Sequence, residues 1–579
     1  MMTKEEVLAA AKLGRSLEGE VLAELDLSGA DLTGAKLAGT KIAKVSFRGA
    51  SLANADLAGA DLADCDLEGA VLDGARLIAT RGALLRLRGA KLRGVSARGA
   101  KLPKSDLRGA DLTNADLSSA SLAACDLEHA SLAGAKLAGV QLDLARLVGV
   151  DLSGAELSKV SAAGAVLAGA KLAGAKLMEV VLHAADLRGA DLRGAELEKV
   201  VLVGADLRGV HWPKRLVHVV LDGAKLGPFD GASAEGEAPE LRGLVVERMN
   251  LDRIDLAGVS LAGCSLRGCS LRGADLKGAD LSQGVLAECD LEGADLSGAR
   301  LEMTVLSRAN LRGLNLSRRE LKLCILDEAN LEGANLEGTK LEICMLSKAR
   351  LDKANLTNAS IVSGELRDAS LFGAKLSGTS FERVSFEGVD LGGASLAGLS
   401  LVRCSFEGLD LAGADFSAAN LTEANFTAAK LTKAKFVKTR LRAANFSKAK
   451  LDLADFSGAQ AKAAYFGEAD ASGARFDGAA LTSATFTKAS LTAARFDGAS
   501  APKSLWMEVE AKTASFGAAT LAFGDFSHAN LTNADFSRAD LSRANLHDVR
   551  DAGAIFAGAS LGGVRRTDPD RLEAEGFKT

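Results

Sequence analysis

The chain has 579 residues, of which 48% are hydrophobic and 25% are charged, and its net charge is −5. This balance excludes a strongly basic or strongly acidic polyelectrolyte, and the absence of an apolar run of about 18 residues argues against a transmembrane helix. The first twenty residues lack the apolar core of a signal peptide, so we expect a cytoplasmic protein.

Residues 1–21 are predicted to form an N-terminal helical cap. Thr3 and Glu6 have the spacing of a capping box, and Gly14 is a candidate for the helix C-cap. The repeat that follows would otherwise leave an open core and unpaired backbone at its end.

Residues 22–207 form the first repeat block, in which a large apolar residue recurs at every fifth position from Leu22 to Leu207. A small residue stands two places before each large one. Neither a helix nor a strand places every fifth side chain on one face, so the chain must turn a corner about every five residues. This period predicts a solenoid. Small residues at three of the central positions predict local thinning or bulging of its core: Gly82, Ala97 and Ala162.

Residues 208–250 interrupt the repeat in two ways. After Leu207 the next convincing central residue is Leu216, nine positions on instead of ten, which predicts a bend or bulge. Residues 227–240 contain two prolines and several glycines without a repeat, which indicates an excursion loop. The phase set by Leu216 returns at Leu241, so the two interruptions are separate events.

Residues 251–563 form the second repeat block, and from Phe406 its central residues alternate between Leu and Phe. If a coil contains four pentads, this alternation places Phe on two opposite sides. It therefore predicts two internal Phe ladders with rungs about 4.8 Å apart, the usual strand spacing. Residues 564–579 are predicted to form a C-terminal cap, with Asp568 as its N-cap and Leu572 covering the last coil.

All eight cysteines stand two places before a central residue, the position that alanine usually occupies. We expect them to be small buried side chains with reduced thiols. Cys264 and Cys269 are one pentad apart, which leaves a disulfide between them as an alternative.

The pentads ADLTG, ADLRG, ANLEG and ADFSA recur over most of the chain, which therefore resembles the pentapeptide repeat family. The resemblance implies an all-β fold, a right-handed quadrilateral β-helix with four pentads per coil. Family members that mimic DNA and protect gyrase from quinolones are shorter and more acidic. The N-terminal stretch EEVLAAAKLGRSLEG is similar to pentapeptide repeat proteins of bacterial type VI secretion loci.

The sequence predicts no catalytic, cofactor or metal site. We therefore expect a protein that is not an enzyme. No zinc-peptidase, phosphate-loop or nucleophile-elbow motif is present, and most of the six histidines fall on outward positions that are far apart. Rows of repeat aspartates could bind a cation, although solvated carboxylates that support turns are the simpler interpretation.

Two groups of residues are predicted to contact a partner. The first is a basic girdle on outward positions, where no acidic residue occurs between Ala424 and Leu451. The second is the pair His211 and Trp212 at the register break. The girdle consists of Lys430, Lys433, Lys435, Lys438, Arg440, Arg442, Lys448 and Lys450.

These features predict a rigid scaffold that binds other proteins in a bacterium, with a link to type VI secretion suggested by the N-terminal stretch. The alternative is a DNA mimic, or a protein that binds DNA or gyrase directly through the girdle. The partner's identity and the oligomeric state are left open by the sequence.

Overall fold

A computed structural model of the protein describes residues 2–226 and 240–576. Its backbone forms parallel bridges between residues that are twenty positions apart along the chain. Ser51, for example, bridges in parallel to Asp31 on one coil and to Val71 on the next. Twenty residues are four pentads, so each coil has four sides and successive coils stack as a β-solenoid. The all-β solenoid predicted from the five-residue period is therefore confirmed.

Each side of a coil ends in a turn whose hydrogen bonds explain the repeat. After the buried Leu27, the N–H of Ala30 donates to the carbonyl of Leu27 at 3.1 Å, and Gly29 between them has φ +65°. Glycine suits this position because it adopts the left-handed conformation without a side-chain penalty. Asp or Asn precedes the central residue because its side chain supports the turn, as when Asp31 Oδ1 accepts the Thr33 N–H at 3.1 Å.

The chain divides into two compact units, Met1–Asp290 with Ala294–Arg300, and Leu291–Gly293 with Leu301–Thr579. Within each unit, some sides of the coil are regular enough to form short parallel strands. Those of the first unit are β1 (Val21–Ala23), β2 (Lys41–Ala43), β3 (Asp61–Ala63), β4 (Glu156–Ser158), β5 (Lys176–Met178), β6 (Glu196–Glu198), β7 (Asp206–Leu207), β8 (Arg215–Val217), β9 (Lys225–Leu226) and β10 (Glu240–Arg242). Those of the second unit are β11 (Glu320–Lys322), β12 (Lys340–Glu342), β13 (Ser360–Val362), β14 (Ser380–Glu382) and β15 (Ser400–Val402).

The strands of the first unit form three sheets, in the orders β1-β2-β3, β4-β5-β6-β8-β10 and β7-β9, and those of the second form one, β11 to β15 in chain order. The register break lies where it was predicted. Leu216 in β8 pairs with Leu197 in β6, nineteen residues earlier, so this coil is one residue short.

The coil that contains the predicted excursion loop departs from the repeat in the opposite direction. Leu241 pairs with Leu216, twenty-five residues earlier, so the phase of the pentads is kept while one extra pentad is accommodated. Most of the predicted loop at 227–240 lies outside the described residues.

The interior of the first unit consists mainly of leucine and alanine. Its central residues are buried, and the small residue two places before each of them is buried as well. Ala97 lines an apolar interior cavity of about 20 Å³, and Ala162 lines a second cavity of about 20 Å³. The predicted thinning of the core at these two positions is confirmed.

Two ladders of aromatic rings run through the interior of the second unit between Phe386 and Phe556. Phe426 stacks on Phe446 with ring centroids 4.9 Å apart, and Phe436 stacks on Phe456 at 4.6 Å on the opposite side of the coil. Rings of the two ladders meet edge to face, as Phe446 and Phe456 do at 5.5 Å and 90°. The two predicted ladders are confirmed, but the first begins one coil earlier than predicted, because Phe386 stacks on Phe406.

The two terminal helices were both expected. Helix α1 (Lys4–Lys12) begins with the predicted capping box, in which the N–H of Glu6 donates to Thr3 Oγ1 and the N–H of Thr3 donates to Glu6 Oε2. Its C-cap is Leu13 instead of Gly14.

Helix α2 (Pro569–Gly576) starts after Asp568, whose Oδ1 accepts the N–H of Asp570 at 3.1 Å. The prediction that Leu572 covers the last coil is wrong, because Leu572 is exposed and α2 buries none of its residues. Polar contacts attach this helix instead. Neither helix of the described chain has the length and hydrophobicity that crossing a membrane requires.

Candidate protein interface

Every residue of the predicted basic girdle is exposed, as its outward repeat position requires. Lys430 and Lys450 bridge on successive coils, and Lys435 and Arg440 lie on the next two sides. The girdle therefore extends around the coil as predicted. Its role in binding stays a prediction.

The solenoid places carboxylates next to the girdle that the linear sequence separates from it. Lys430 Nζ lies 3.5 Å from Asp410 Oδ2, and Arg442 Nη2 donates to Glu423 Oε1 at 2.8 Å. Lys435 stacks between two aspartates of its own column. The girdle is thus bordered by negative charge on the coils before and after it, which weakens its potential at a distance.

The predicted contact pair at the register break is accessible. His211 is exposed, and its N–H donates to the Ala190 carbonyl at 3.0 Å, so the ladder is intact at this point. Trp212 is half-buried, and Pro213 beside it is buried. The side is shortened by one residue and the regular register resumes at Leu216. The pair stays a candidate contact.

A third surface was not predicted, and it consists of apolar side chains at two neighbouring outward columns of the second unit. One column occupies the turn position that glycine usually fills, and the other occupies the position before the central residue, where Asp or Asn is usual. We call this group the apolar surface. It consists of Met303, Leu323 and Ile343 in the first column and Val305, Ile325 and Met345 in the second.

The side chains of the apolar surface are unusually exposed for their type. Met303 is 45% exposed, Leu323 40%, Ile343 48% and Met345 47%. Because the columns stack coil on coil, the six residues form one contiguous patch over three coils. Contiguous apolar patches on soluble proteins commonly mark interaction sites.

The turn residues of this surface also adopt an unfavourable backbone conformation. Leu323 has φ +55° and Ile343 has φ +54°. The left-handed region costs an L-residue about 1–2 kcal/mol, and it is especially unfavourable for a β-branched side chain such as that of Ile343. The sequence contains a signal for this surface. Residues 303–305, 323–325 and 343–345 read MTV, LCI and ICM, where the repeat usually has G-A-D or G-A-N.

A polar cluster attaches α2 to the second unit, and the sequence reasoning missed it. His528 and His547 lie on adjacent coils, and the N–H of His528 donates to the His547 carbonyl at 2.9 Å. Glu575 Oε2 of α2 lies 3.3 Å from His528 Nε2 and 3.2 Å from His547 Nε2. The expectation that the histidines are outward and far apart is wrong for this pair, because one coil returns them to the same side and His547 is buried.

Two histidines and a carboxylate are a known zinc ligand set, and these ligand atoms converge within 4.8 Å. However, the backbone N–H of Asp568 donates to His547 Nδ1 at 3.2 Å. The ring proton must then lie on Nε2, where it faces Glu575 and occupies the lone pair that a metal would need. The arrangement therefore favours a hydrogen-bonded clamp on α2. The Arg571 guanidinium, and then His547, hold the pKa of Glu575 below its usual range.

The cysteines occupy the buried positions that were predicted for them, and all eight are free thiols. Burial raises the pKa of Cys264 and of Cys269 to about 11, which disfavours the reactive thiolate. The alternative of a disulfide between these two is not realised. The Cys269 Sγ donates instead to the Val246 carbonyl at 3.0 Å, and the Cys264 thiol donates to the Leu241 carbonyl.

A four-sided β-solenoid built from pentads defines a class of protein, and comparison with family profiles identifies it. The profile described as "Pentapeptide repeats (8 copies)" matches most of the chain, and "Pentapeptide repeat region" matches residues 399–476. The first profile matches residues 17–49, 50–81, 86–118, 110–147, 145–183, 175–211, 250–286, 285–318, 324–361, 365–398, 462–500 and 514–550. The chain belongs to the pentapeptide repeat family.

Several solved structures of this family are similar to the chain. HetL, a pentapeptide repeat protein involved in heterocyst differentiation regulation from the cyanobacterium Nostoc sp. strain PCC 7120, is 25% identical over 53% of this chain and 98% of its own, with a TM-score of 0.17. Full-length QnrB1, a plasmid-mediated fluoroquinolone resistance protein, is 19% identical over 40% of this chain and 93% of its own, with a TM-score of 0.22. Such low scores carry no argument about function. A search of curated proteins gave no match.

Proposed function

We propose that this protein is a non-enzymatic scaffold that binds another protein chain through the apolar surface. The observation that carries the proposal is the combination of exposure and backbone cost at Leu323 and Ile343. Leu323 and Ile343 leave close to half of their surface exposed in a backbone conformation that costs free energy, so burial offsets that cost only in part. Such residues are typical of sites where function compensates the cost.

The opposite corner of the same coils provides an internal reference. There the turn positions are held by Gly313 and Gly333, and Asn335 Nδ2 donates to Asn315 Oδ1 at 3.2 Å in the column beside them. This corner follows the consensus of the repeat. The apolar residues are therefore a property of one corner and not of this stretch of the chain as a whole.

The proposal can be tested with a photo-reactive amino acid at position 325, in cells of the native host. We expect crosslinks from position 325 to one defined protein, identified by mass spectrometry. The matched control is position 353, because Lys353 is an exposed turn residue at the opposite corner, with φ +57°. If both positions capture the same proteins, or if position 325 captures none, the apolar surface is not a binding site.

The basic girdle and the pair His211 and Trp212 are secondary candidates for partner contacts within this proposal. The exposure of the girdle and of His211 supports them, but neither group forms a contiguous apolar patch. Substituting Lys433, Lys438 and Lys448 with glutamine would leave the buried positions of the repeat unchanged. Loss of partner binding in that variant would add the girdle to the interface, and unchanged binding would remove it.

Direct binding to DNA or gyrase, and mimicry of DNA, are the alternative functions. The carboxylates that border the girdle weigh against direct binding to a phosphate backbone. Mimicry requires exposed acidic rows, whereas many repeat aspartates are paired with arginine, as Asp186 is with Arg188 at 2.7 Å. A gel shift with duplex DNA at low and moderate salt tests the first, and a gyrase supercoiling assay tests the second. A positive result in either would displace the scaffold proposal.

The bacterial cytoplasm and a link to type VI secretion are also parts of the proposal. They are supported by the resemblance of the stretch from Glu5 to Gly19, which forms α1 and the first turn after it. The nature of the genes that flank this one tests the link directly. Neighbours unrelated to secretion would remove it without affecting the scaffold proposal.

A further inference from the structure

We propose that the occupant of the apolar surface is a second copy of this chain, and that the two copies pair side by side with their coils stacked in the same direction. The inference rests on the proposed function, since it names the partner of the same surface. It is carried by the charges that border the apolar surface on both sides.

The two borders are columns of exposed charged residues that flank the apolar side chains. On one border, moving along the stack of coils, the signs are negative, positive and negative. On the other border, at the same three levels, they are positive, negative and positive. The first border is Glu302, Lys322 and Glu342, and the second is Arg308, Glu328 and Lys348.

Several of these charges are available for an external partner. Arg308 Nε lies 3.0 Å from Glu328 Oε2 within the chain. In the described part of the protein, Glu302, Lys322, Glu342 and Lys348 form no ion pair within 4.0 Å. Exposed unpaired charges at the rim of an apolar patch direct the choice and the orientation of a partner.

The pattern of signs selects one orientation of two copies. With a two-fold axis parallel to the stack of coils, each border faces the other border of the second copy at the same level. Glu302 then meets Arg308, Lys322 meets Glu328, and Glu342 meets Lys348. All three pairs have opposite sign.

The antiparallel orientation gives the reverse result. When the two-fold axis is perpendicular to the stack of coils, each border faces the same border of the second copy, with its residues in reverse order. Lys322 then meets Lys322 of the second copy, and Glu302 meets Glu342, so like charges oppose one another. An isologous interface must satisfy both copies at once, so with all three levels in contact only the parallel arrangement is complementary.

The parallel arrangement also matches the apolar side chains. The column Val305, Ile325 and Met345 lies between the two borders, and under the parallel axis each residue meets its own counterpart. Each of the three coils then buries an apolar contact between a pair of opposite charges. This is the arrangement of an apolar interface core with a polar rim.

The oligomeric state of the full-length chain tests the proposal. We expect sedimentation velocity to give about twice the chain mass of 59.5 kDa in a concentration-dependent equilibrium. The variant Leu323→Gly, Ile325→Asn, Ile343→Gly, Met345→Asn should be monomeric. It should also remain folded, because each change restores the usual residue of the repeat. Lys353→Gly, the matched change at the opposite corner, should leave the dimer intact.

Orientation is tested by a disulfide between copies, since the eight native cysteines are buried. Val305→Cys should form a covalent dimer upon mild oxidation in the parallel arrangement, whereas Lys322→Cys should not. In the antiparallel arrangement the two results are reversed. The charge reversal Lys322→Glu should weaken the dimer, and Lys322→Glu combined with Glu328→Lys should restore it.

A monomeric wild-type chain, or a dimer that the four-residue variant leaves intact, overturns the proposal. Either outcome is distinguishable from failure of the proposed function. A different protein crosslinked from position 325 to a monomeric chain would support the scaffold and remove the second copy as its partner.

Discussion

The interiors of the two units solve the same packing problem with different residues. In the first unit, central leucines surround alanines at Ala97 and Ala162, and apolar cavities of about 20 Å³ are left beside them. In the second unit, alanines such as Ala461 stand between ladders of Phe rings that meet edge to face with centroids 5.5 Å apart. A coil of fixed circumference can therefore accept small central residues in two ways: it keeps a gap, or large rings on other sides occupy the space.

The largest expected effect comes from placing a charge inside a Phe ladder. Phe456→Asp buries a carboxylate between Phe436 and Phe476, whose rings stack on Phe456 at 4.6 and 4.7 Å. We expect a loss of more than about 5 kcal/mol of unfolding free energy, seen as melting of the second unit by circular dichroism and proteolysis. Phe456→Leu is the control and should cost far less. Retained thermal stability of the Asp variant would contradict the inward position of the ladder.

The two kinds of alanine should respond oppositely to the same substitution. Ala461→Val adds two methyl groups where Phe rings fill the interior, and we expect a cost of about 1–3 kcal/mol from overpacking. Ala97→Val places the same groups beside a cavity and should be neutral or stabilise by about 0.5 kcal/mol. Thermal unfolding of both variants checks the pair. Equal effects would mean that the two interiors are packed alike.

The first ladder contains one ring with a polar atom, Trp506, which is fully buried. Its Nε1–H donates to Ser504 Oγ at 2.6 Å, and Ser504 Oγ donates to the Ala501 carbonyl. Ser504→Ala leaves the indole donor without a partner and should destabilise the second unit by about 1–3 kcal/mol. Combining it with Trp506→Phe should recover most of the loss. An unchanged melting temperature for Ser504→Ala would show that the hydrogen bond contributes nothing.

A smaller effect of opposite sign is expected on the surface of the second unit. Ile343→Gly relieves the left-handed conformation at φ +54° and should stabilise the chain by about 1 kcal/mol, measured with monomeric protein. Lys353→Gly, at a similar φ without a β-branched side chain, should gain less. Destabilisation by Ile343→Gly would mean that the isoleucine packs within its own chain, and the apolar surface would lose its functional interpretation.

The smallest effect is local and concerns the clamp on α2. The folded-state pKa of Glu575 lies below its unfolded value. The contribution of Glu575 to the stability of the attached helix is therefore present at pH values above the ordinary glutamate range. It is lost as the pH falls through the lowered pKa, so α2 should detach at pH values below the ordinary glutamate range. Hydrogen exchange of α2 against pH measures this, and Glu575→Gln should detach the helix at neutral pH. Protection of α2 that is independent of pH and of this substitution would exclude the clamp.

The structure of the repeat could be predicted from short-range sequence patterns, because each pentad contains the residues of its own turn. Glycine at the left-handed position, Asp or Asn before the central residue and a small residue two places earlier are each required within five residues. The capping box at Thr3 and the burial of the cysteines follow in the same way. The one-residue deletion before Leu216 was visible for the same reason, since it changes the spacing inside a single pentad.

Contacts between coils could not be obtained from the pentads alone. Leu216 and Leu241 are five pentads apart, which keeps the phase of the repeat but does not tell which residues pair, so only the backbone pairing revealed a coil of twenty-five residues. The neutralisation of Lys430 by Asp410 and the meeting of His528 with His547 also depend on which side each residue returns to after one coil. The attachment of α2 through Glu575 instead of Leu572 depends on where the chain leaves the last coil.

The amino-acid sequence thus determined the solenoid, its buried residues and its Phe ladders, because a five-residue period admits only one way of burying its large side chains. Tertiary structure alone decided which side chains meet on the apolar surface. Met303, Leu323 and Ile343 are twenty residues apart along the chain, and they become one apolar surface only when stacking brings successive coils into register.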